Sequence, residues 1–375
     1  MRVLAITNSR IPSLTANSIQ AMKVCDALSQ LGHEVRLIAP AEVAPAEWDQ
    51  LSSHYGLKHR FQVQWLPSVR LLRRLDFVWY AQSAADQLKP DLIYTWLPQS
   101  AVFGLRRRFP VILEMHADVA GHFGAWWMRR FWSIRGRRRL LVTTQALRQA
   151  LERSTALAFP SDQVQVAPNG VDLERYKDLP EPEAARRELG LPDCLTAGFT
   201  GHFYEGRGMD LLHSLARELP KVSFLWVGGT PDAVNEWRLK LQATRTPNVF
   251  LTGFIENSRL PRYQAAADVL LMPYSSSVSS SSGQDIAEVI NPMKMFEYMA
   301  ARRAILTADL PSIREILDET SAAFCAPGEL GSWKATLEAL LSNGKRRAEL
   351  AFHAWHAVEK HTWQARATQA LAGFV

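Results

Sequence analysis

The sequence predicts an α/β protein made of two Rossmann-like halves, each a parallel sheet covered by helices. Three observations carry that expectation. Short β-branched, apolar runs alternate with helix-like stretches along the whole chain. The runs are almost continuously apolar, as strands buried on both faces must be. The rhythm pauses over residues 169–189 and then restarts. The chain's 375 residues are enough for two domains, each with its own core.

In the first half, RVLAIT (2–7) reads as a buried strand and residues 18–31 as a helix with Ile19, Met22, Leu28 and Leu31 inward. Gly32 stands where a left-handed helix cap belongs, ahead of the strand EVRLIA (34–39). FQVQWL, DLIYTW, VILEMH, RLLVTT and VQVAPN continue the series. The stretch NGVDLERYKDLPEPEAARREL, rich in Pro, Asp and Glu, reads as a linker. After it, LTAGFTG, VSFLWVGG, NVFLTGF, DVLLMPY, RAILTAD and AAFCAP are the strand candidates. The tail from about Glu349 to Phe374 reads as helical, and SSSVSSSSG (275–283) as a polar loop at a strand mouth. Two such halves predict a ligand cleft between them, at the C-terminal ends of the strands.

Composition narrows the class. Residues 1–175 hold 22 Lys and Arg against 14 Asp and Glu, whereas residues 176–375 hold 21 against 23. A basic first half points toward an anionic surface. Three scattered cysteines form neither a disulfide framework nor a CxxC pair. The start shows no signal-peptide pattern and no apolar run approaches a membrane span, so a cytoplasmic protein is expected.

The first strand leads into NSRIPSLTANS, which lacks the glycines that let backbone approach a pyrophosphate, and no P-loop occurs. Dinucleotide oxidoreductase and P-loop nucleotidase are therefore disfavoured. Asn291 and Pro292 are expected to open a helix whose free N–H groups could meet a pyrophosphate at Pro292–Met293. Lys294 and Glu297, three apart, add a cation for phosphate and a carboxylate for ribose hydroxyls. On their own they would be a surface pair worth a few tenths of a kcal/mol.

The segment NPMKMFEYMAARRAILTADLPSIREIL (291–317) resembles the donor-site helix of retaining glycosyltransferases of family 4, whose fold is GT-B. GHEV (32–35), EMHAD (114–118), APNGVD (167–172), GFTGHFYEGRGMDLL (198–212) and TWQARA (362–367) match further elements of that family in order. The resemblance implies Glu297 on the ribose, Arg207, Lys294 and His202 on the diphosphate, and His116 as the catalytic contact to the donor sugar. It also implies a closing helix that crosses back onto the first domain. Domain bounds of 1–175 plus 361–375 (acceptor side) and 176–360 (donor side) follow.

The chain departs from the family pattern at three places. Eight positions before Glu297, where a second glutamate is usual, stands Val289, with Glu288 one place off register. The diphosphate loop carries His202 and Arg207 in place of Arg and Lys. Thr15-Ala16-Asn17-Ser18 replaces the usual glycine pair of the first loop.

No DxD and no metal-ligand spacing occurs, so metal-independent chemistry is expected, with no cofactor beyond the nucleotide-sugar co-substrate. The stretch AWWMRRFWSIRGRRRLL (125–141) is the other unusual feature. Trp127, Phe131 and Ile134 share a helical face and are expected to pack on the sheet. Trp126, Arg129, Arg130, Trp132, Arg137, Arg138 and Arg139, with Arg73-Arg74 and Arg106-Arg107-Arg108, are expected to form a surface for an anionic membrane. No nucleic-acid motif accompanies them.

The expectation is a retaining transferase that moves a hexose-type sugar from a nucleoside diphosphate to an acceptor hydroxyl. The acceptor would be a lipid-linked or cell-envelope glycan, reached at the inner face of the cytoplasmic membrane. Two rivals stay open. One is another GT-B enzyme, an epimerase or hydrolase; the other is a non-catalytic glycan- or membrane-binding subunit.

Overall fold

The computed structural model describes residues 1–69, 75–119, 121–278 and 285–374. They form two compact units, Met1–Asn169 with Trp363–Val375, and Gly170–Thr362. The division falls six residues before the sequence-based boundary at 175.

The first unit has seven strands: β1 (Arg2–Ile6), β2 (Glu34–Pro40), β3 (Gln62–Leu66), β4 (Leu92–Thr95), β5 (Val111–Met115), β6 (Arg138–Val142) and β7 (Val164–Val166). They lie in the order β3-β2-β1-β4-β5-β6-β7, every neighbouring pair parallel. Helices α1 (Ala16–Gln30), α2 (Trp48–Tyr55), α3 (Leu75–Leu88), α4 (Pro98–Arg106), α5 (Gly121–Ser133) and α6 (Gln145–Thr155) make the connections. The order reverses direction between β1 and β4, which leaves a crevice outside the carboxyl ends of those strands, where open α/β sheets bind ligands.

The second unit repeats the plan. After a short 3-10 turn (Leu173–Tyr176) come α7 (Pro182–Leu189), β8 (Thr196–Thr200), α8 (Met209–Glu218), β9 (Ser223–Val227), α9 (Pro231–Ala243), β10 (Val249–Gly253), α10 (Leu260–Ala265) and β11 (Val269–Met272). Next come α11 (Met293–Ala300), β12 (Ala304–Ala308), α12 (Pro311–Arg314), β13 (Ala323–Cys325), α13 (Leu330–Ser342) and α14 (Gly344–Val358). Its sheet runs β10-β9-β8-β11-β12-β13, again all parallel, with the reversal between β8 and β11. Trp226, Trp333, Phe224, Phe296 and Tyr298 are fully buried in its core, each contributing roughly 2–3 kcal/mol by leaving water. Helix α15 (Trp363–Leu371) then belongs to the first unit, packed on α1.

Three sequence expectations are corrected here. The segment 169–189 is no linker: Val171 and Tyr176 are core residues, and α7 buries Ala185 and Arg186. The guanidinium of Arg186 is held by Asp268 Oδ2 at 3.0 Å and the Ala266 carbonyl at 3.1 Å, so a charged helix is structural. The first helix starts two residues early, at Ala16, and buries Met22 and Leu28 but leaves Ile19 and Leu31 half-exposed. Polar Gln20 and Lys23 are buried instead, because their head groups reach Glu114 and the Gly56 carbonyl. The helical tail is two helices, broken where Thr362 bridges to Val171. Gly32 takes a left-handed φ of +82°, as its cap position demands.

Candidate functional site

In the second unit the chemistry collects at the sheet's reversal point. Strand β8 ends at Thr200, and the loop 201–208 turns into α8. Two glycines make the turn possible. A Cβ on Gly208, at φ +77°, would lie 1.8 Å from the Pro273 carbonyl oxygen. One on Gly206 would lie 2.3 Å from the Ser277 oxygen. The loop is thereby pressed against the chain leaving β11, and Ser275 N–H donates to the Gly206 carbonyl at 3.0 Å.

This packing brings two cations together. The Arg207 guanidinium lies 5.2 Å from the Tyr274 ring centroid. Lys294 Nζ lies 3.9 Å from the Phe199 ring and 5.6 Å from that of Tyr274, beside Gly201. Half-buried Lys294 has its pKa pushed well below the ordinary lysine value, first by burial and then by repulsion from Arg207, with Glu297 opposing. Among the described residues no carboxylate comes within ion-pair distance of either side chain. Two crowded cations beside a helix N-terminus make a site that favours a polyanion.

The helix end itself is shifted by one residue from expectation. Pro292, with extended backbone, is the N-cap, and the helix begins at Met293. Asn291 is buried just before it. Glu297 lies one turn along, half-buried, and accepts from Gln264 Nε2 at 3.3 Å. Gln264 is itself buried and receives the Tyr176 hydroxyl at 2.9 Å. His202 stacks on Tyr204, with ring centroids 4.8 Å apart. Val289 is buried and Glu288 is exposed.

His116 follows the last residue of β5, in the first unit. Its Nε2 lies 2.6 Å from Glu114 Oε1. Glu114 has no exposed surface, and it also accepts from Gln20 Nε2 at 2.5 Å, from the Tyr94 hydroxyl and from Arg366 of α15. Burial alone would raise the Glu114 pKa. Arg366, His116 and Tyr94 outweigh it and lower the value to about 2.

Two models of known families match the chain, one described as Glycosyltransferase Family 4 over residues 18–175 and one as Glycosyl transferases group 1 over residues 195–343. The chain belongs to glycosyltransferase family 4. Bacillus subtilis TuaH, named as a teichuronic acid biosynthesis glycosyltransferase, is 29% identical over 154 residues, 40% of this chain and 36% of that one. The alpha-galactosylglucosyldiacylglycerol synthase of Streptococcus pneumoniae is 26% identical over 177 residues, 45% of this chain and 44% of that one. The match thus spans less than half the length of each of these curated relatives. Anabaena HepE, crystallised with UDP, shares the fold with a TM-score of 0.75 at 18% identity, over 100% of this chain and 99% of that one. The fold is GT-B: two parallel-sheet Rossmann-like domains.

In this family 4 chain several arginines of the basic stretch bond carbonyls at helix ends. Arg138 donates to the carbonyls of Phe131 and Ile134 at the end of α5. Arg139 donates to those of Ala370 and Ala372, at 2.6 and 2.9 Å, at the end of α15. Arg137 reaches Gly373 and the Phe374 ring, and Arg129 the Thr155 carbonyl that ends α6. These cations satisfy orphan carbonyls where the helix dipole is negative. Trp132 stacks on Phe159. Trp126, 49% exposed, and Phe123, 64% exposed, remain outward on α5, while Arg130 bonds Ser133. Of the expected inward trio, Phe131 is buried, and Trp127 and Ile134 are half-buried. Arg73, Arg74 and residues 279–283 of the serine loop lie outside the described residues. Among the described residues no helix is long and apolar enough to cross a membrane, and no three His, Cys, Asp or Glu side chains gather as a metal site.

Sequence reasoning missed Glu114, Tyr94, Arg366 and Gln264. An acidic residue inside the apolar run VILEMH was the available signal for the first. The partners stand up to 252 positions away, where spacing carries no information.

Proposed function

We propose that the chain is a retaining glycosyltransferase that moves a sugar from a nucleoside-diphosphate sugar to a hydroxyl of an envelope glycan or glycolipid. The observation that carries the reading is the pair Arg207 and Lys294, two cations beside the N-terminus of α11 with no carboxylate within ion-pair distance among the described residues. Transfer breaks the bond between the anomeric carbon and a β-phosphate oxygen and forms one to the acceptor oxygen, whose proton passes to the departing phosphate oxygen, so negative charge grows on the diphosphate as the bond breaks. Preorganised cations and the Met293 and Lys294 N–H groups oppose that charge in the transition state. Glu297 accepts from the ribose hydroxyls, and His116 contacts the sugar. His202 borders the diphosphate. The family assignment supports the donor class, and the names of TuaH and the diacylglycerol synthase support the acceptor class.

The test is acceptor-dependent release of nucleoside diphosphate. Purified protein is incubated with single nucleotide sugars, with and without an envelope lipid extract. Release only with extract supports transfer, and release without it indicates a hydrolase. A second reading is favoured by Val289 and the exposed Glu288: a binding subunit that lacks the usual second carboxylate. It predicts nucleotide-independent glycan binding and no release.

Contact with an anionic membrane, at the inner face, belongs to the same proposal and rests on Phe123, Trp126 and Arg130. Replacing Phe123 and Trp126 together with Ser should reduce sedimentation with anionic liposomes severalfold; unchanged sedimentation would remove the claim. Replacing Arg137, Arg138 and Arg139 would not test it, because those side chains cap helices.

A further inference from the structure

Glu114 is a charged side chain with no exposure, on a central strand, two residues before the histidine assigned to the sugar. Isolated, it would protonate or unfold its surroundings. Four donors keep it ionised: Gln20 of α1, Tyr94 of β4, Arg366 of α15 and the His116 ring. Arg366 is fixed in turn by the Pro168 carbonyl at 2.9 Å and that of Ala167 at 3.2 Å. The other titratable group facing this carboxylate is the buried Cys25 thiol of α1, whose pKa is raised by burial and by nearby carboxylates.

We infer that Glu114, locked by Tyr94 and Arg366, is the positioning residue of His116: it accepts the hydrogen bond from Nε2–H and leaves Nδ1 as the nitrogen offered to substrate. The geometry carries this. An anionic acceptor 2.6 Å from Nε2 requires a proton on that nitrogen. Nδ1 has no hydrogen-bond partner among the described residues, and 22% of the side chain meets solvent. The ring stands past the carboxyl end of β5, beside β4 and the sheet's reversal, where this architecture takes ligands. The last helix thus supplies the counter-charge that keeps the carboxylate ionised. The role in transfer rests on the function proposed above; the state of the ring does not.

Two readouts separate these. Ring 15N spectra of histidine-labelled protein should show the His116 ring carrying a proton on Nε2. A wild-type ring carrying its only proton on Nδ1 overturns the inference before any variant is made. The charge-balanced variant Glu114→Gln/Arg366→Gln avoids stranding a buried charge. In it the ring should sample both tautomers, and kcat should fall about 10- to 100-fold, as misplacing a working group does. Donor KM should stay within about threefold, because Arg207, Lys294 and Glu297 are untouched. A folded double variant with the wild-type ring spectrum and kcat overturns the inference. Wild-type protein that shows the Nε2-protonated ring but transfers nothing supports the positioning and removes the transferase reading.

Discussion

A half-buried ammonium crowded by Arg207, as at Lys294, weakens the folded chain until an anion arrives, because burial and that repulsion outweigh the pull of Glu297. Lys294→Met should leave the melting temperature of the ligand-free protein unchanged or slightly higher. The same change should abolish stabilisation by nucleoside diphosphates, which at 100-fold excess over Kd is worth about 2.7 kcal/mol. Thermal melts with and without nucleotide check both halves. Glu114 behaves in the opposite way. Its pKa is lowered from an ordinary value near 4.5 to about 2, chiefly by Arg366 against the penalty of burial. Its contribution is therefore complete above about pH 4.5 and is lost as pH falls toward 2, on the order of 3 kcal/mol in all. Denaturant unfolding at pH 7 and pH 3 should show that part of the loss in wild type and not in Glu114→Gln/Arg366→Gln.

At the scale of elements, the loop 201–208 is held by backbone geometry. Gly208→Ala would drive a Cβ into the Pro273 carbonyl at a left-handed φ, displace Arg207 and cost several kcal/mol. Gly190→Ala, also left-handed at φ +65° but facing open space, should cost only about 1–2 kcal/mol. Melting temperatures of the two variants make the comparison, and only Gly208→Ala should lose nucleotide binding. Arg139→Met uncaps α15 and should cost about 1 kcal/mol, visible as a lower denaturation midpoint. The strands were legible because a two-sided parallel sheet demands long apolar runs, as in RVLAIT and DVLLMPY. The segment 169–189 was not, because its polar composition hides the buried Arg186–Asp268 pair. The carbonyl bonds of Arg138 and Arg139 were not legible for a related reason: composition shows charge, whereas the carbonyls come from the ends of α5 and α15. Lys294 and Glu297, three apart, could be read as a local pair, whereas Arg207 was reached only through the family resemblance. Glu114 with Arg366 was not, since their meeting depends on the fold.

For the whole molecule, the last helix is part of the first unit's core. Removing residues 363–375 strips Arg366 from Glu114 and exposes the surface that Trp363, Ala367 and Leu371 cover. An unpaired buried charge alone costs about 3–5 kcal/mol. Calorimetry of the truncated chain should show the first unit's transition lost or moved to much lower temperature, while the second unit still answers to nucleotide. Equal loss in both units would contradict the division at Asn169. The central claim, a nucleoside-diphosphate site at the end of β8, is tested most directly by thermal melts of the intact protein with UDP, GDP, ADP, CDP and dTDP. The account predicts that one of them stabilises the protein clearly and that Glu297→Ala removes the effect. No stabilisation by any of the five, or stabilisation that Glu297→Ala leaves unchanged, would contradict it.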